Sequence, residues 1–69
     1  MADFAAMTTG MDLKVDRIRA RVQQQDLARA MGVSRQRVAQ VESWPKVHEA
    51  MEQRYRAALA QLADQAEVA

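Results

Sequence analysis

The sequence predicts an all-α fold of about four helices, and three observations carry that expectation. Apolar residues recur at helical spacing, with Leu13, Ile18 and Val22 in one run and Met51, Tyr55, Leu59 and Leu62 in another. The breakers are few: Gly10, Gly32 and Pro45. Alanine, valine, leucine and methionine are plentiful, whereas the aromatics are only Phe4, Trp44 and Tyr55, a composition suited to helices packed through small and flexible side chains. No stretch reads as a strand, and no segment repeats.

Taken in order, residues 1–10 lack periodicity, end in Thr-Thr-Gly and read as a flexible leader. Asp12 is the expected N-cap of a first helix whose apolar stripe is Leu13, Val15, Ile18 and Val22. That helix should end near Arg21 or Val22. A second helix is expected from Gln24 to Met31, closed by Gly32 in the left-handed conformation that glycine adopts at least cost. Ser34 should cap a third helix running to about Ser43. Pro45 ends it, because the residue before a proline is pushed out of the helical region, so Trp44 falls in the connection and covers the junction. A fourth, long helix follows from about His48 to Asp64, buried through Met51, Tyr55, Ala58 or Leu59, and Leu62. The domain thus spans residues 11–65, with a frayed tail at 66–69.

The run from Gln24 to Ser43 carries the chemistry. Two short helices meet at a tight turn, and Ala28 is small where they cross, a helix-turn-helix arrangement. Val33, Val38 and Val41 anchor the second helix of the pair and turn its opposite face outward. That face holds Arg35, Gln36, Arg37 and Gln40, with Ser34 at its tip. Arginine can pair bidentately with guanine O6 and N7, and glutamine with adenine N6 and N7, each worth roughly 1–3 kcal/mol of discrimination. The charge distribution agrees with a polyanion-binding surface. Residues 14–46 carry eight positive and three negative side chains, a balance of +5, and the remainder carries two and six, a balance of −4. Phosphate or edge contacts are expected from Gln24, Arg29, Ser34, Arg37 and Lys46.

From Gly10 to Leu62 the chain resembles the phage-repressor/Cro (XRE-type) helix-turn-helix family. The matching pieces are Arg17, the run Gln24-Gln25-Asp26-Leu27-Ala28, Gly32-Val33-Ser34, and Val38 with Val41-Glu42. The resemblance implies a lambda-repressor-like fold, with Gln24 on a phosphate and Arg35, Gln36 and Gln40 reading bases. It also implies a buried structural ion pair between Arg17 and Glu42. The chain departs from the family after the third helix, where Ser43-Trp44-Pro45-Lys46-Val47 leads into a single long helix, a shortening like that of compact phage or mobile-element regulators.

Other classes find little support. With no cysteine there is neither a disulfide nor a thiolate metal site. No apolar run of about 18 residues could span a membrane, and the N-terminus lacks signal-peptide character, so a cytoplasmic, nucleoid-associated setting is expected. His48 stands alone as a cap or surface residue. Glu49 and Glu52 suit a helix N-terminus, and no nucleophile or phosphate-cradling glycine loop accompanies them. No enzymatic activity, cofactor, metal or small-molecule ligand is expected. The reading is a sequence-specific double-stranded DNA-binding regulator, a repressor acting as a homodimer on a palindromic operator. The dimer surface would be Leu59, Leu62, Ala63 and Ala66, unless Leu59 and Leu62 close the monomer core instead. Two rivals stay open: an antitoxin-like or accessory factor whose main partner is a protein, and a helical adaptor that does not bind DNA.

Overall fold

The computed structural model describes residues 8–68, and side chains through residue 65. It is all-α, with α1 at Gly10–Arg19, α2 at Gln24–Met31, α3 at Arg35–Glu42 and α4 at Glu49–Val68. α1 packs on α3 and α4, and so does α2; the backbones of α1 and α2 do not touch, nor do those of α3 and α4. The helices therefore form a ring in the order α1, α3, α2, α4. Its centre is filled by Leu13, Leu27, Ala28, Val38, Val41, Val47, Tyr55, Ala58 and Leu59.

α1 starts earlier than the sequence suggests. Thr9, not Asp12, is the N-cap: the Asp12 N–H donates to Thr9 Oγ1 at 3.0 Å, and the Thr9 N–H donates to Asp12 Oδ2 at 3.1 Å, a reciprocal capping box. The end of the expected leader is structured as well. Val47 N–H donates to the Thr8 carbonyl and Gly10 N–H to the Trp44 carbonyl, each at 2.8 Å, so residues 8–10 are stitched to the α3–α4 connection. Residues 1–7 lie outside the described residues. Gly10 is required by close approach: a Cβ there would lie 2.4 Å from the Val41 carbonyl oxygen and 2.5 Å from the Glu42 carbonyl.

The apolar stripe expected on α1 is largely on the outside. Ile18 is 55% and Val15 38% exposed, alongside Met11 at 59%. The face turned inward is Gly10, Leu13 and Arg17. It differs because the surface it meets is partly ionic, as described below, and an arginine takes a place that hydrophobic periodicity would give to an aliphatic residue.

α1 and α2 end in the same way. Past α1, Arg21 N–H donates to the Ile18 carbonyl and Val22 N–H to the Arg17 carbonyl; past α2, Gly32 N–H donates to Arg29 and Val33 N–H to Ala28. Both are Schellman closures about a left-handed residue. Gly32 (φ 75°) fills that place in the second, as expected, whereas Arg21 (φ 60°) fills it in the first. α3 opens on Ser34, whose Oγ accepts the Arg37 N–H at 3.1 Å, and closes before Pro45. α4 runs past the expected end to Val68; no glycine or proline stops it. Among the described residues no helix is long and apolar enough to cross a membrane.

Candidate nucleic-acid interface

α3 is held from behind. Val38 and Val41 are buried in the core, and Glu42 is buried at its last turn. Glu42 is where all four helices meet. Arg17 of α1 donates from Nε to Glu42 Oε2 at 2.7 Å and from Nη2 to Oε1 at 3.3 Å. Gln24 of α2 donates from Nε2 to Oε1 at 2.9 Å. The Tyr55 hydroxyl of α4 donates to Oε2 at 2.6 Å, with the Leu13 carbonyl oxygen 3.1 Å away. The remaining Arg17 nitrogen, Nη1, donates to the Val22 carbonyl at 2.8 Å. No buried side-chain nitrogen or oxygen among the described residues is left without a partner, the condition under which a buried ion pair is tolerated.

The electrostatics follow from that geometry. Burial alone would push the Glu42 carboxyl up, but the hydrogen bonds from Arg17, Tyr55 and Gln24 outweigh it and hold the group below its ordinary value. The hydrogen bond to Glu42 raises the Arg17 guanidinium against the opposing effect of burial. Tyr55 is pushed up strongly, first by burial and then by its hydrogen bond to the Glu42 carboxylate. Arg17 and Glu42 are thus the structural ion pair that the resemblance implies. Tyr55, which the sequence assigns only to the apolar core, is its third member.

With its inner face anchored, α3 turns Arg35, Gln36, Arg37, Ala39 and Gln40 to solvent, and none of these is acidic. They divide between two shallow grooves. Ser34, Gln36, Arg37, Ala39 and Gln40 line one. Arg35 opens on the other, with Arg17 and Gln23, Gln24 and Gln25 at the start of α2. The expected base-reading residues are thus adjacent but face two sides of the α3 tip. Arg37 is drawn along the helix: its Nη1 donates to Gln40 Oε1 at 2.9 Å, and its guanidinium lies 5.1 Å from the centre of the Trp44 ring. Trp44, half-buried at the α3–α4 junction as expected, meets His48 edge-on at 6.5 Å. Lys46 is exposed in the same connection. Among the described residues, Arg35, Arg37 and Lys46 form no ion pair.

Two expectations change. Gln24 does not simply face a phosphate; its amide nitrogen is turned inward to Glu42, leaving its second N–H and its carbonyl oxygen for the groove it shares with Arg35. Arg29 is not brought to this surface. It opens instead, with Arg21, on a third groove between α2 and the end of α4. The expected dimer surface changes as well. Leu59 is only 8% exposed and belongs to the core, because it shares the inward register of Tyr55 and Ala58. Leu62 packs half-buried against the same core, Ala63 is half-buried, and the Ala66 side chain lies outside the described residues.

Among the described residues no cluster of three or more histidine, aspartate or glutamate side chains could hold a metal ion. Comparison of the chain with protein-family models, curated proteins and solved structures finds no match.

Proposed function

We propose that this chain is a sequence-reading, double-stranded DNA-binding regulator of the phage-repressor/Cro type, a repressor that acts as a homodimer. The supporting observation is the combination on α3 of a fully anchored inner face with an outer face of arginines and glutamines that carries no acid. A helix so held can enter a major groove, about 12 Å wide, without rearranging. Gln36 and Arg35 are the base-reading side chains of this reading. Gln40 joins them once its carbonyl oxygen is released by Arg37. Arg37, tethered over Trp44, and Lys46 contact phosphates, and the Ser34 tip and Gln24 lie at the edge. One recognition helix reads only a few base pairs, so two copies on half-sites about 34 Å apart supply the specificity that one lacks.

Selection from random duplexes at two salt concentrations tests the reading. The expected result is an enriched palindromic motif whose recovery falls as salt rises. Arg35→Ala and Gln36→Ala should each relax preference at one position by about 1–3 kcal/mol, whereas Lys46→Ala should weaken all sequences alike and reduce the salt slope by about 1. Equal losses on selected and random DNA for Arg35→Ala would remove its base-reading role. Absence of binding at either salt would overturn the proposal and direct attention to protein partners.

A further inference from the structure

The groove that takes Arg29 away from α3 is a concavity apart from the exposed face of α3. It is an open groove of about 540 Å³, room for several side chains rather than one ion. Ala20, Val22, Ala30 and Leu62 give it apolar lining, and Arg21 and Arg29 lie on it with Asp26, Gln61 and Gln65. Neither arginine has an ion-pair partner or a side-chain hydrogen bond among the described residues. Arg21 is also held at φ 60°, a conformation that costs a residue with a Cβ roughly 1–2 kcal/mol. No residue of this groove lines either α3 groove, so it stays open while α3 is engaged.

The complement to this groove lies on the same molecule. α4 extends to Val68, beyond its last packed leucine at Leu62, and gives the protein a long axis of 42 Å against 24 and 18 Å. Its outer end carries small residues, Ala60 and Ala63, and the exposed acid Asp64. A helix end with Ala60 and Ala63 beside a carboxylate matches a groove of mixed polar and apolar lining, on which two guanidiniums outnumber the single carboxylate of Asp26. Because Gln61, Leu62 and Gln65 of α4 already form one wall, a second α4 laid antiparallel in the groove makes the contact twice about a two-fold axis. We infer that the groove of Arg21 and Arg29 receives the end of α4 from a second copy of this chain, with Asp64 of each copy meeting Arg29 of the other. The inference deepens the homodimer reading and rests on it for its purpose, but not for its test. Exposed Met11, Val15 and Ile18 on α1 do not line this groove.

Sedimentation equilibrium without DNA, at low and high salt, provides the test. The full chain should be a dimer that weakens as salt rises. Arg29→Glu and Asp64→Arg should each weaken it at least about tenfold through like-charge contact, and the double variant should regain most of the loss. Ile18→Asp should leave the dimer intact. Arg29 and Asp64 make no side-chain bond in the monomer, so far-ultraviolet circular dichroism should not change in either variant, and the melting temperature should fall only by the stabilisation that the dimer supplied. A monomeric parent, single variants that dimerise normally, a double variant that fails to recover, or loss of the dimer in Ile18→Asp would each overturn the inference. DNA selection reports separately. A non-palindromic single half-site would leave the DNA reading standing without this dimer, and a charge-swapped dimer with no DNA motif would do the reverse.

Discussion

Glu42 shows how much one side chain can hold in a chain of this size. Its two oxygens receive bonds from α1, α2 and α4 while its own helix carries the exposed arginines and glutamines, so losing it frees a buried guanidinium and a phenol together. Glu42→Ala should cost roughly 3–5 kcal/mol, measured by denaturant unfolding, because Arg17 is left buried and unpaired. The pH dependence has a definite sign. A carboxyl whose folded value lies below its unfolded value of about 4.3 stabilises the fold above that pH. The contribution is lost as pH falls through the depressed folded value. Tyr55 acts at the other end of the scale: its raised value contributes fully below about pH 10 and is lost as pH rises above that. Glu42→Gln should therefore flatten the acid limb of the stability profile, and Tyr55→Phe the alkaline limb. Unchanged limbs would show that the network does not couple to folding.

At the scale of elements, the two Schellman closures are a matched pair with different occupants. A Cβ added at Gly32 would meet nothing within 4 Å, so Gly32→Ala is penalised by φ alone and should cost about 1 kcal/mol. Gly10→Ala should cost more, about 1–3 kcal/mol, because rigid backbone of α3 must move. On α1, Ile18→Gln should stay within about 0.5 kcal/mol of the parent, whereas Leu13→Ala should lose about 2–5 kcal/mol. Thermal unfolding of these four variants separates the cases. This contrast also marks where sequence reading works. Gly32, Ser34 and Pro45 punctuate α2 and α3 by local backbone chemistry, so their boundaries are legible in the chain. The inward face of α1 is not, because periodicity counts hydrophobes and the partner of α1 is a carboxylate. Thr9-x-x-Asp12 is a capping signal present in the sequence, but Asp12 alone is an equally good cap by composition. Nothing local marks Arg21 as left-handed. The pairing of Arg17 with Glu42 comes from family resemblance, since a separation of 25 residues has no periodic signature.

For the molecule as a whole, the ring of helices separates what the chain can offer to a partner. The α3 tip points one way with its arginines and glutamines, and the groove of Arg21 and Arg29 opens elsewhere. How the residues of α3 divide between two grooves depends on tertiary placement and could not be read from the chain; which residues they are could. The same holds for Arg29, whose charge is legible and whose direction is not.

The stitching of residues 8–10 to the α3–α4 connection has a consequence in time. Apart from the Val22 carbonyl that Arg17 reaches, the hydrogen-bond partners and close contacts of α1 lie late in the chain: Val41, Glu42 and Trp44 on one side and Tyr55 and Arg56 on the other. During synthesis α1 therefore emerges before these partners have been made. α2, α3 and α4 are made in succession behind it, and α1 can dock fully only once Tyr55, 42 residues beyond Leu13, has appeared. In refolding of the complete chain the same long separations make these contacts late, so stopped-flow folding of Leu13→Ala should show a nearly unchanged folding rate and a much faster unfolding rate, the mark of contacts formed after the transition state.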